Sequence, residues 1–238
     1  MSDRAATHLT AETAATGGAA PDPVAAFAGR TFDAVLFDLD GTLVDSTASV
    51  ERAWLRWARE EHVEIERMQG SHGMPAAEIV VRLLPQERHA SAIARIMDYE
   101  INDVEGTVPR PGSVAALASL PPQRLAIVTS CTGPLLAARA GAAGLTLPAV
   151  TVTADDVSRG KPDPEPFRLG AQRLGFDPAR CLVVEDAPAG LTAARAAGCA
   201  TLAVDGTHAL DQLDADASIA NLSLLRFAVD GDGIRVTR

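Results

Sequence analysis

Residues 37–45 read FDLDGTLVD and follow directly on TFDAVL at 31–36. Residues 32–39 form a short apolar, β-branched and aromatic run closed by Gly41, the pattern of a strand buried on both faces of a parallel sheet. Two acids, Asp38 and Asp40, stand at its carboxyl end just before the chain turns through glycine. Strand alternation points both to similar sides and sends Leu39 away into packing. In open parallel sheets, ligands bind outside the carboxyl ends of the strands. The meaning of the two acids therefore depends on what else the chain delivers to that edge.

From Ser46 the period changes. Val50, Ala53, Trp54, Trp57 and Ala58 make an amphipathic stripe that predicts a helix over 49–60, and apolar-periodic segments follow at 75–84 and 87–100. No strand pattern occurs between Thr47 and Pro109, so residues 47–109 read as a compact helical insert. Alternation resumes after Pro111–Gly112, with helices over 113–120, 134–143, 165–174 and 189–197, and strands over 124–129, 149–153, 181–184 and 200–204. Gly144, Gly175 and Gly198 stand where helix C-caps belong. The end of the chain reads as a hairpin, 225–229 and 233–237 around DGDG. The expected fold is α/β: a Rossmann-like parallel sheet core with helices on both faces, made of 31–46 and 110–238, with 47–109 as a small inserted helical cap domain. Residues 1–30, rich in Ala, Thr and Gly, read as a flexible N-terminal tail with at most a short turn near 23–27.

Four separated segments then converge on one sheet edge. The first strand brings Asp38 and Asp40, RLAIVT at 124–129 brings Ser130 and Thr132, a loop brings Lys161, and CLVV at 181–184 brings Glu185 and Asp186. Crowded carboxylates repel unless a cation sits among them. Oxygen donors without His or Cys ligands suit a hard cation, Mg²⁺ foremost. A hydroxyl, turn amides and a lysine are instead what a phosphoryl group needs. Together they describe phosphoryl transfer, in which a metal and a lysine offset charge while a carboxylate attacks phosphorus.

Composition narrows the setting. The chain has 238 residues, 47% of them hydrophobic, and a formal net charge of -10, which argues against a nucleic-acid footprint or an anionic membrane as partner. Cys131, Cys181 and Cys199 fall in no metal-binding spacing, and an odd count suits a reducing compartment better than a disulfide framework. Neither a transmembrane run nor a secretory signal is evident, so the expected location is cytoplasmic, with a small-molecule phosphate ester as partner and a monomer or weak homodimer as the assembly.

The phrases FDLDGTLVDS, IVTSCT, GKPDPEPF and VVEDAPAG, in this order and spacing, resemble the four signature motifs of the haloacid dehalogenase-like superfamily. The resemblance runs from Thr31 to about Val236. It is strongest to the capped subgroup of sugar-phosphate and polyol-phosphate phosphatases, such as glycerol-3-phosphate and 2-deoxyglucose-6-phosphate phosphatases. It implies that Asp38 is the nucleophile of a phospho-aspartyl intermediate and that Asp40 serves as general acid and then base. It also implies that Ser130 and the Cys131 amide hold the phosphoryl group and that Lys161 contacts both phosphate and nucleophile. Mg²⁺ would be bound by Asp38, the Asp40 carbonyl and Asp186, with Glu185 acting behind them or through water.

An insert joined beside the nucleophile can close over the site, with 44–47 and 108–111 as hinges. Within it, the polar stretch QGSHG at 69–73 is the first place to look for substrate contacts, with Arg67 and His72 as candidates, whereas Trp54 and Trp57 have core-like spacing. The insert shows no cluster of basic residues for a second phosphate, which favours monophosphates with small neutral polyol bodies. The nearest alternative is a β-phosphoglucomutase-like sugar phosphomutase, which would share the nucleophile, the second aspartate and the metal site. A phospho-receiver module would not require the full set of Asp38, Asp40, Ser130, Lys161 and Asp186.

Overall fold

The computed structural model describes residues 20–68 and 74–238. The elements are α1 (Pro23–Ala26), β1 (Ala34–Phe37), β2 (Val44–Asp45), α2 (Thr47–Glu61), α3 (Ala76–Leu83), α4 (His89–Asn102), β3 (Val108–Pro109), α5 (Ser113–Ser119), β4 (Leu125–Val128), α6 (Gly133–Ala142), β5 (Val150–Val152), α7 (Glu165–Leu174), β6 (Cys181–Glu185), α8 (Pro188–Ala197), β7 (Ala200–Val204), β8 (Ala217–Ile219), β9 (Arg226–Asp230) and β10 (Gly233–Thr237). Six strands form one sheet in the order β5-β4-β1-β6-β7-β8, all parallel. β1 lies between β4 and β6, so the connection that crosses over it opens a crevice at the carboxyl ends of these three strands.

Alternation along β1 builds the two layers. Val35 and Phe37 face a cluster shared with Leu135 and Leu136 of α6, Leu117 of α5 and Phe227 and Ile234 of the β9–β10 hairpin. Ala34 and Leu36 face the opposite cluster, with Phe167 and Ala171 of α7 and Ala193 and Ala194 of α8. All four β1 side chains are fully buried, which is why the strand reads as continuous rather than alternating hydrophobicity.

The insert builds a third core of its own. Trp54 and Trp57 of α2 meet edge to face at 5.2 Å, and both pack with Ile79, Val80 and Ile96 of α3 and α4. Trp57 is fully buried and its indole N–H donates to Ala92 O at 2.9 Å, so the ring satisfies its polar end inside the cluster.

Three expectations need correction. Residues 20–30 belong to the core rather than to a tail: Phe27 is buried, meets Phe32 edge to face, and Ser218 N donates to Pro21 O. A strand does occur at the end of the insert, since β3 pairs antiparallel with β2 through Val44↔Pro109 and Asp45↔Val108 and so ties its entry to its exit. The sheet also has a sixth strand, β8, which was not anticipated. The other departures are shifts of a residue or two at element ends, and β1 ends at Phe37, so that Asp38 stands just past the last strand residue.

Candidate active site

Asp38 continues the β1 ladder by donating its N–H to Val184 O at 3.0 Å, which fixes its direction without making it part of the strand. Its carboxylate is held by Lys161, whose Nζ donates to Asp38 Oδ1 at 2.6 Å and to Glu185 Oε1 at 2.8 Å. Lys161 is also 5.0 Å from the Phe167 ring centroid, and all three ionisable groups are buried. It is the only lysine in the sequence; every other basic side chain apart from histidine is arginine. A compact ammonium with freely rotating donors fits a narrow gap between two carboxylates better than a planar guanidinium does.

Asp186 stands beside this pair. Its Oδ1 accepts from Thr42 Oγ1 at 3.1 Å, and its Oδ2 from Thr207 N at 2.7 Å and Thr207 Oγ1 at 2.6 Å. Glu185 Oε2 accepts the Asp186 and Ala187 amides at 2.7 and 2.6 Å, at the start of α8. Gly41 has φ +83°, and a Cβ there would lie 2.0 Å from Asp186 Oδ2. Glycine at this turn thus meets a backbone and a packing requirement together.

Ligand atoms from Asp38, Glu185 and Asp186 lie within 4.8 Å of one another. Burial pushes the Asp38 carboxyl up to about 7 despite the opposing Lys161 charge. Burial, with Asp38 as neighbour, raises Asp186 to about 6, and burial raises Glu185 as well. Burial by itself would lower the Lys161 pKa, but Asp38 and Glu185 outweigh it and hold the ammonium above its ordinary value. Three clustered, buried carboxylates, with one ammonium paired to two of them, leave an excess of negative charge. That excess and the all-oxygen donor set fit a hard divalent cation.

On the other side of the cleft, Asp40 Oδ1 accepts from Ser46 Oγ at 2.6 Å, while Oδ2 accepts from Arg139 Nη1 at 2.7 Å and the Cys131 thiol at 2.9 Å. Cys131 N donates to Thr129 Oγ1 at 3.0 Å, so this amide, expected to serve a phosphoryl group, already has a partner. Thr132 Oγ1, by contrast, is buried without a hydrogen-bond partner among the described residues.

All seven residues expected at the catalytic edge, Asp38, Asp40, Ser130, Cys131, Lys161, Glu185 and Asp186, line one cavity of about 490 Å³. The helical insert contributes an apolar wall that includes Val50, Trp54, Leu55, Ile65 and Met97. Trp54 therefore faces the cavity as well as the core of the insert. Arg67 is exposed, reaches Leu83 O at 3.4 Å and does not line the cavity; His72 and the rest of 69–73 lie outside the described residues. Sequence reasoning missed Ser46, Arg139, Glu100 and Thr207, which surround the same cavity. For two of these a signal existed: Arg139 and Glu100 each interrupt the apolar stripe of a helix.

This geometry has known counterparts. Residues 32–198 match the family model of haloacid dehalogenase-like hydrolases. The chain belongs to that family. Hexitol phosphatase A of Escherichia coli is 43% identical to this haloacid dehalogenase-like chain over 75% of it and 87% of the relative. Glycerol-1-phosphate phosphohydrolase 2 of Saccharomyces cerevisiae is 32% identical over 76% and 78%. Among solved structures, a β-phosphoglucomutase from Clostridium difficile shares the fold with a TM-score of 0.68 at 20% identity, covering 82% of this chain and 94% of that one. The haloacid dehalogenase-like chain is an enzyme, a phosphoric monoester hydrolase. Among its described residues no helix is long and apolar enough to cross a membrane.

Proposed function

We propose that this enzyme is a Mg²⁺-dependent phosphatase of small sugar or polyol monophosphates that works through a phospho-aspartyl intermediate. The observation that carries the reading is the buried cluster of Asp38, Glu185 and Asp186, with one ammonium paired to the first two, opposite Asp40 across the same cavity. A carboxylate oxygen of Asp38 attacks phosphorus and the ester P–O bond breaks. Asp40 gives its proton to the departing alcohol oxygen. Asp40 then takes a proton from water, the water oxygen attacks phosphorus, and the P–O bond to Asp38 breaks to release phosphate. Lys161, Ser130 and Thr132 hold the phosphoryl oxygens. Mg²⁺, held by Asp38, Asp186 and the Asp40 carbonyl, would offset the charge that develops on the phosphoryl group.

The leaving group would occupy the cap side of the cavity, with residues 47–109 closing over it about the segments tied together by the β2–β3 pair. Glu51 and Glu100 are the charged cap residues on this wall, and among the described residues the cap contributes no basic side chain to it. A second phosphate therefore finds no counter-charge there, which favours hydrolysis of monophosphates over a mutase that must hold a bisphosphate. The named substrates of the hexitol and glycerol-1-phosphate relatives support a polyol or sugar as the alcohol. Three buried, free cysteines agree with a reducing, cytoplasmic setting.

The test is release of inorganic phosphate from hexitol phosphates, 2-deoxyglucose 6-phosphate, glycerol phosphate and β-glucose 1-phosphate, with Mg²⁺ and with EDTA. Mg²⁺-dependent release from the polyol and deoxysugar esters is expected. Conversion of β-glucose 1-phosphate into another glucose phosphate without net hydrolysis would reject the reading.

Binding of the ion has its own signature in stability. Asp38 and Asp186 have folded-state pKa values raised above their unfolded values, so in the metal-free protein their contribution is most favourable at low pH and is lost as pH rises through about 6 to 7. Mg²⁺ at one hundred times its Kd adds about 2.7 kcal/mol, which corresponds to roughly 5–10 °C for a domain of this size. That increase in Tm is expected in full at pH 8 and should largely vanish at pH 5. Equal shifts at both pH values would contradict binding at these carboxylates.

A further inference from the structure

Two helices that meet across the cavity each carry one charge inside an otherwise apolar stripe. On α6 the buried positions are Leu135, Leu136, Arg139 and Ala140; on α4 they are Ala92, Ile96 and Glu100. The two charges meet, with Arg139 Nη2 donating to Glu100 Oε1 at 3.0 Å. The other arm of the same guanidinium, Nη1, reaches Asp40 Oδ2 at 2.7 Å and Cys131 Sγ at 3.2 Å. Trp54 of α2 lines the same cavity as Glu100. A continuous path thus runs from Glu100 in the cap, through a core arginine, to the carboxylate opposite the nucleophile.

Packing does not account for this arrangement. Arg139 and Glu100 are only 4% and 7% exposed, and removing such charges from water costs several kcal/mol per ion before their attraction is counted. Arg139 Nε is also buried without a partner among the described residues. A leucine or methionine pair would fill the same space without that cost. What a hydrophobic pair could not do is fix one oxygen of Asp40 while leaving the fixing group dependent on where the cap lies.

We propose that Arg139 is a positioning residue for Asp40, and that Glu100 makes this positioning depend on the docked cap. With the cap seated, Glu100 aims the guanidinium so that Oδ2 is held by Arg139 and Cys131, and Oδ1 is held by Ser46. With Oδ2 fixed by the guanidinium and the thiol, Oδ1 is the oxygen that carries the proton to the leaving oxygen, and it is so placed only while the cap encloses the substrate. When the cap lifts, Glu100 leaves with it and Arg139 loses the partner that aims it. Proton delivery is thereby tied to an enclosed site. The inference rests on the reading of Asp40 as proton donor.

The test exploits leaving groups of different need. An alkyl ester such as sorbitol 6-phosphate requires protonation of its departing oxygen, whereas p-nitrophenyl phosphate leaves as a stable phenolate. Values of kcat and KM for both substrates are compared in the wild type, Asp40→Asn, Arg139→Gln and Glu100→Gln. Asp40→Asn sets the reference, with a loss in kcat on the alkyl ester about 10²-fold greater than on the aryl ester. Arg139→Gln is expected to show the same selectivity at roughly 10-fold or more, and Glu100→Gln the same pattern at several-fold, both in kcat rather than KM. Equal losses on the two esters in Arg139→Gln and Glu100→Gln, beside a selective Asp40→Asn, would mean that the pair only holds the cap in place and would overturn the inference. If Asp40→Asn itself is unselective, the role given to Asp40 fails first. Should Arg139→Gln not fold, Glu100→Gln on the other element decides by the same criterion.

Discussion

Asp38→Asn is expected to lower kcat by about 10⁴-fold or more on every phosphate ester while leaving the fold intact. An amide has nearly the shape of the carboxylate and still offers an oxygen to Lys161 Nζ, but it supplies no anionic oxygen to attack phosphorus. The same substitution should leave the metal-free protein no less stable at pH 8. Burial raises the Asp38 pKa to about 7, so above that pH the wild type carries a buried negative charge beside Glu185 and Asp40, and the neutral amide relieves it. At pH 5 the wild-type group is already largely protonated in the folded, metal-free state, and the gain in Tm should be much smaller than at pH 8. Loss of activity together with an equal or higher Tm at pH 8 would identify a group kept for chemistry rather than for the fold. The two readouts are phosphate release and thermal unfolding in EDTA. Substantial turnover by Asp38→Asn would remove the nucleophile from the proposal.

Why so much of this site could be read from sequence is itself physical. Parallel strands buried on both faces leave little choice of residue, so β1, β4, β6 and β7 stand out as apolar runs, and whatever polar residue ends such a run stands at the ligand edge. Asp38, Ser130 and the Glu185–Asp186 pair were legible for that reason. What escaped was set by tertiary contacts without a local period. β8 is only three residues long, Ala217–Ile219, too short for any repeat to show. The β2–β3 pair hides behind Pro109, which lacks an N–H and argues against a strand, yet is tolerated in a two-residue ribbon. Thr207 lies in the loop after β7 and reveals its role only where it donates twice to Asp186. Arg139 and Glu100 are an intermediate case. Each violates the amphipathic pattern of its own helix, but only their meeting in space shows that the two violations complement one another. Arg67 failed in the opposite way: a basic residue next to a polar, glycine-containing stretch looked like a substrate contact, but its guanidinium turns to the end of α3.

Lys161→Met should be the most destabilising single change in the site. The ammonium is the cation that lies between Asp38 and Glu185, with side-chain exposures of 3%, 10% and 2% for the three groups. Breaking a buried ion pair by removing one partner typically costs 3–5 kcal/mol, because the remaining charge is left without compensation. For a protein of this length that corresponds to a Tm lowered by roughly 10 °C. A second substitution in the Lys161→Met background tests the cause. Glu185→Gln should recover part of the loss, since the neutral side chain no longer needs the ammonium and its carbonyl oxygen can still accept the Asp186 and Ala187 amides. Lys161→Arg separates charge from shape: the guanidinium keeps the positive charge, but has to fit between two carboxylates beside the Phe167 ring, where Nζ is 5.0 Å from the centroid. With arginine at every other Lys/Arg position in the chain, a lysine at this one marks a place where the planar group does not serve. Turnover in Lys161→Arg is expected to fall about 10²-fold or more, with a smaller loss of stability than in Lys161→Met. If Lys161→Met melted at the wild-type temperature and Glu185→Gln gave no recovery, the ammonium would not be what neutralises the two acids, and the electrostatic basis of the site would have to be sought elsewhere.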